Sequence, residues 1–176
     1  MFGLRKRKDA GGTDASQSDA GGGAMLGNIL LVVDGSEPSV AAARFGVELA
    51  AEFGSHIVAV YVVDTATMDY LLQSRIFVSE EREEFEKDLE RTGQRYLEYV
   101  KTIGNNHGID VETMLDKGSF HRTVLERARA LGVNAIVLGG WRRSITRKDA
   151  ASVERQLVLD EADCPVIVVK ADGKDK

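Results

Sequence analysis

Three stretches of the chain are apolar without interruption: residues 29–33 (Ile-Leu-Leu-Val-Val), 57–63 (Ile-Val-Ala-Val-Tyr-Val-Val) and 135–138 (Ala-Ile-Val-Leu). Short continuous runs of β-branched and aliphatic residues mark strands covered on both faces. A fourth run, Val166–Val169, has the same character. Between them, Ile109, Val111, Thr113 and Leu115 alternate with Asp110 and Glu112, the period of a strand with one polar face at or near a sheet edge. Helical patterns fill the intervals. Ser36 suits an N-cap, with Glu37 and Pro38 in the first turn, Val40, Ala43, Val47 and Ala50 on one face, and Gly54 as the stop. From Ser79 the positions Phe85, Leu89, Tyr96, Val100 and Ile103 share a face, and residues 104–108 make a turn. Gly118 and Ser119 open a helix with Phe120, Val124, Ala128 and Leu131 inward and Gly132 at its end, and a short helix spans 152–161. Residues 64–78 hold Met68, Tyr70, Leu71, Leu72, Ile76 and Phe77 in no clean period. They predict an irregular or partly helical excursion over the strand ends, a packing segment in preference to a lid.

Strands that alternate with helices require right-handed crossovers and a parallel sheet. The order 3-2-1-4-5 buries strands one, two and four and leaves strand three at an edge, giving an α/β, doubly wound, five-stranded Rossmann-like fold. It also leaves the apolar Val166–Val169 at the opposite edge, which invites pairing with a second chain and predicts a homodimer through that strand. In this order a crevice opens between the carboxyl ends of strands one and four, where open sheets of this kind take ligands. Asp34-Gly35 and Gly139-Gly140 line it, and the basic loop with Arg142, Arg143, Arg147 and Lys148 leads on to Ser152 and Val153. The loop reads as a phosphate cradle or, slightly ahead of that, as a solvated basic segment. Asp34 reads evenly as a group for a ribose hydroxyl or a proton and as a turn-former.

Composition narrows the function classes. Hydrophobic residues make up 43% and charged residues 29% of 176, which fits one ordinary globular domain. The net charge of −5 argues against a general nucleic-acid binder, which needs a basic face. No apolar run reaches the length of a membrane span, and the single Cys164, expected as a small core residue, fits a reducing compartment, so a cytoplasmic protein is expected. Residues 1–26 form a leader, basic from Arg5 to Lys8 and then rich in Gly, Ala and Ser; the domain spans 27–171, and 172–176 is a charged tail. The leader's composition cannot offset its own ordering entropy, and its cations make at best a weak membrane anchor. No Gly-x4-Gly-Lys-Ser/Thr loop and no Gly-x-Gly-x2-Gly after the first strand occurs. His56, His107 and His121 do not fall at metal-ligand spacing, and no catalytic residue is assigned.

Residues 28–36 (Asn-Ile-Leu-Leu-Val-Val-Asp-Gly-Ser), Gly118-Ser119, the run from Ala135 to Gly139, and Cys164-Pro-Val-Ile-Val-Val169, in this order, resemble the universal stress protein domain over about residues 27–171. The resemblance implies an adenine nucleotide alpha-hydrolase-like fold and a dimer through the last strand. One branch of that family holds ATP or a related nucleotide through Gly-x2-Gly-x9-Gly-Ser/Thr after strand four, with an aspartate after strand one and a valine after strand two on the adenosine. By that likeness Asp34 and Val62 would meet adenosine, and Gly139, Gly140, Arg142, Ser152 and Val153 the phosphates. Arg142 stands at the second glycine position and Ala151 at the third, with the spacing shorter by one. The sequence is therefore closer to the branch that lacks the intact motif: a dimeric stress-response module acting on an unknown protein partner, without catalysis and without a required cofactor. The alternative is an ATP- or AMP-binding member that senses nucleotide or hydrolyses it slowly.

Overall fold

The computed structural model describes residues 25–73, 79–141 and 150–171. Residues 1–24 of the leader, residues 74–78 of the excursion, the basic loop with Arg142, Arg143, Arg147 and Lys148, and the charged tail lie outside them. The elements run β1 (Asn28–Val33), α1 (Glu37–Phe53), β2 (His56–Asp64), α2 (Thr65–Gln73), α3 (Ser79–Asn106), β3 (Val111–Gly118), α4 (Phe120–Leu131), β4 (Ala135–Gly139), α5 (Ala150–Glu161) and β5 (Val166–Val169). The five strands form one parallel sheet in the order β3-β2-β1-β4-β5, the order that the buried and alternating runs predict.

Side chains of successive strand residues point to opposite faces, so each strand feeds two cores. Ile29, Leu31 and Val33 pack with α1 and α3, together with Ile57, Ala59, Tyr61 and Val63 of β2. Leu30 and Val32 pack with α4 and α5, together with Val58, Val60 and Val62. The helices that follow β1 and β4 thus lie on opposite faces. Ser36 caps α1, its hydroxyl accepting from the Ser39 amide at 3.3 Å, and Gly54 ends the helix at φ 62° in the left-handed region that favours glycine.

The structure corrects several sequence expectations. On α1, Ser39 is buried where Val40 was expected, because the serine hydroxyl serves the turn before the helix. On α3, Leu97 is buried and Phe85 is 42% exposed. The same helix continues through Gly104 to Asn106 instead of turning at 104. There a Cβ would lie 2.4 Å from Val111 Cγ2, so the missing side chain lets the helix press on β3. The expected strand start at Ile109 moves to Val111, because the Ile109 amide still donates to Gly104 O at 3.0 Å. Cys164 is only half-buried, at the margin of the α4/α5 core. Residues 65–73 form the helix α2, whose Met68 is buried in the α1/α3 core and whose Asp69 pairs with Arg82 at 2.8 Å; this part of the excursion packs.

Candidate functional site

β1 delivers Asp34 to the switch point between the sheet's two halves, and the turn that follows is closed on itself. The Asp34 carboxylate accepts from the Ser36 amide at 2.8 Å, an Asx-type turn. Ser39 Oγ accepts from the Gly35 amide at 3.1 Å and the Asp34 amide at 3.3 Å, and donates to Ser36 O at 3.0 Å. Gly35 takes φ 81°, and a Cβ there would lie 2.5 Å from the Tyr96 ring. In other open sheets amides at this place face an anion; here those of Asp34, Gly35, Ser36 and Ser39 are bonded within the turn.

β4 brings Gly139 against the same turn: a Cβ at Gly139 would sit 2.5 Å from the Ser39 amide nitrogen and 2.6 Å from the Pro38 carbonyl carbon. Gly140 follows, its amide donating to Val169 O at 2.7 Å, which ties the strand end to β5. On the other side of the sheet α5 supplies Arg155, whose guanidinium donates to Asp34 Oδ2 and, through its other terminal nitrogen, to Ala151 O at 3.0 Å. The guanidinium carbon lies 5.5 Å from the centroid of the Phe120 ring, within cation–π range. The side chains of Arg155 and Asp34 are 15% and 20% exposed, so this is a largely buried ion pair across the mouth of the crevice.

The electrostatics follow. Burial alone would raise the Asp34 pKa, but the Arg155 charge and the bonds from Ser36 and Arg155 hold the carboxyl below its ordinary value. Burial pushes the Tyr61 phenol up, helped by the nearby Asp34 and Tyr96. Next to Arg155 on α5, Glu154 reaches the start of α4. Its Oε2 accepts from the His121 amide at 3.0 Å and from Ser119 Oγ at 3.3 Å, and lies 2.8 Å from His121 Nδ1. Ser119, the N-cap, makes no side-chain capping bond, so Glu154 takes that task from a distant helix. Burial opposes the charged Glu154, yet the bonds from His121 and Ser119 hold its pKa below the ordinary range.

Of the expected site residues, Asp34, Gly139 and Gly140 come together at neighbouring strand ends. Val62 is on β2, buried on the α4 side of the sheet, and Ser152 and Val153 stand in the first turns of α5, where Val153 is 41% exposed. Arg142 lies outside the described residues. Arg155, Glu154 and His121 were missed as a group. The available signal was Arg155 three residues after Ser152, a spacing that puts both on one helix face. Among the described residues no cluster of His, Cys, Asp or Glu could hold a metal ion, and no helix is long and apolar enough to cross a membrane.

The model of the universal stress protein family matches residues 25–170. The chain belongs to that family. Over 147 residues this universal stress protein is 27% identical to universal stress protein MJ0531 of Methanocaldococcus jannaschii, covering 84% of each chain. It is similar in fold to a universal stress protein family member from Burkholderia pseudomallei, with a TM-score of 0.63 and 24% identity over 84% of this chain and 98% of that one. It also resembles the universal stress protein from Archaeoglobus fulgidus solved in complex with dAMP, with a TM-score of 0.55 and 17% identity over 82% and 98%.

Proposed function

We propose that this universal stress protein is a non-catalytic stress-response module of the cytoplasm, one domain over 27–171 with a leader and a short tail, working as a homodimer on a protein partner. The observation that supports a non-catalytic reading is the state of Asp34. The acid at the crevice is bonded to Arg155 and Ser36 and held below its ordinary pKa, which makes it a poor base near neutral pH. The dimer reading rests on β5, a four-residue edge strand of Val and Ile whose Val168 is 36% exposed.

A second reading has its own support: the crevice as a site for adenine nucleotide, a signal and not a fuel. A buried ion pair stands where open sheets take ligands, and a protein of the same fold was solved with dAMP. In this reading Asp34 and Val62 face the adenosine, and Gly139, Gly140, Arg142, Ser152 and Val153 surround the phosphates. Thermal unfolding with and without ATP and AMP, beside an ATP hydrolysis assay, tests both readings. A ligand that binds only the folded state raises the melting temperature. A rise without hydrolysis supports the sensor, no rise leaves the partner-binding module, and sustained turnover refutes the non-catalytic reading.

A further inference from the structure

We propose that Arg155 decides what the crevice accepts: the ligand class is a nucleoside with a phosphate on its sugar, and the neutral nucleoside is refused. The inference rests on the nucleotide reading above and deepens it. A ligand that enters between the ends of β1 and β4 must separate Asp34 from Arg155. With side chains 20% and 15% exposed, neither charge can fall back fully on water. Separation therefore creates two needs at once, a hydrogen-bond donor for the carboxylate and an anion for the guanidinium.

A sugar hydroxyl meets the first need. The second must be met close by, because Arg155 is held on α5 by its bond to Ala151 O at 3.0 Å and by the Phe120 ring at 5.5 Å. An anion within that short sweep lies next to the sugar, the position of a nucleotide's first phosphate. Most main-chain donors of this turn are already engaged. The amides of Asp34, Gly35, Ser36 and Ser39 are bonded to Ser39, Asp34 and Ser36 side chains. The guanidinium, once parted from Asp34, is a cation beside that position and needs such an anion. A neutral nucleoside satisfies Asp34 and strands Arg155, so it loses most of what it gains.

The test is calorimetric titration of the full chain, and of Arg155→Met and Arg155→Lys, with adenosine and with AMP, folding being checked by circular dichroism. The wild type is expected to bind AMP at least about tenfold more tightly than adenosine, the difference an unpaired buried charge makes. Arg155→Met, which keeps the length of the stem, should lose AMP affinity and gain adenosine affinity, because no pair has to be broken. The ratio should fall to about one. Arg155→Lys keeps a cation and should retain an AMP preference of about threefold or more. A wild-type ratio near one, or a ratio unchanged in Arg155→Met, overturns the proposal while leaving the nucleotide reading intact. If Arg155→Met does not fold, the wild-type ratio and the lysine variant still decide. Binding of neither ligand to any of the proteins overturns the nucleotide reading and this inference together.

Discussion

Gly139→Ala adds one methyl group at the end of β4, where that methyl would meet the Ser39 amide nitrogen at 2.5 Å, the Pro38 carbonyl carbon at 2.6 Å and Ser39 Cα at 2.8 Å. All three are backbone atoms, so no rotamer change relieves the contact. The first turn of α1 cannot step back freely either. It is tied to β1 by the Ser39 hydroxyl and the Ser36 cap, and β1 is paired to β4 with Val32 opposite Leu138. Gly139 is not among the glycines with positive φ, so alanine's backbone preference is no obstacle. The cost is overpacking, about 3 kcal/mol when rigid atoms are met. Replacing glycine reduces the entropy of the unfolded chain and returns up to about 1 kcal/mol. The net loss of about 2 kcal/mol should lower the melting temperature by about 4–8 °C for a domain of this size. Gly46→Ala is the control. It sits inside α1, its methyl would touch only movable side-chain atoms, nearest Leu31 Cδ1 at 3.3 Å, and alanine is the better helix former. It should stay within about 1 kcal/mol of the wild type. Urea unfolding monitored by circular dichroism measures both. A Gly139→Ala protein as stable as the wild type would refute the close approach of β4 to α1 that shapes the crevice.

Further outcomes follow from the same contacts. Glu154→Ala removes the carboxylate that caps α4 and should cost about 1–2 kcal/mol, while Glu154→Gln, whose carbonyl still accepts from the His121 amide, should lose clearly less; equal losses would show that the amide bond is not the stabilising part. Asp34 and Glu154 both have folded pKa values below their ordinary 3.8 and 4.5, so the unfolded chain takes up their protons first. Their stabilisation is intact above those ordinary values and is lost as the pH falls through the folded ones. Stability measured between pH 6 and pH 3 should therefore drop more steeply for the wild type than for Asp34→Asn, and parallel curves would contradict the assignment. If the proposed homodimer forms through β5, Val168→Lys puts a charge on that edge strand and should give a monomer by sedimentation velocity, whereas a dimer in both proteins would move the interface elsewhere and a monomeric wild type would refute the dimer.

The sheet was legible because its strands carry their own signatures. Residues 29–33 are apolar at every position because both faces of β1 are covered, and the alternation around Val111 marks an edge. Together with the buried runs of β2 and β4 and right-handed crossovers, these facts lead to the strand order, and with it to the position of Asp34 and Gly139. What the pattern could not show depends on contacts between distant residues. Phe85 has the right spacing for the buried face of α3, but the spacing does not say which turns of the helix are covered. Gly104 looks like a turn residue and instead serves a helix pressed on β3. Arg155 and Glu154 are an ordinary charged pair in a helical sequence. Only the tertiary arrangement sends one to Asp34, 121 residues away in sequence, and the other to the start of α4.

The reading of the crevice turns on the Asp34–Arg155 pair, proposed to close it and to be traded when a nucleotide enters. A crystal structure of the full chain soaked with AMP tests it most directly. The account predicts a sugar hydroxyl on Asp34 and the Arg155 guanidinium turned onto the phosphate. AMP seated between β1 and β4 with the Asp34–Arg155 bond still in place would contradict it.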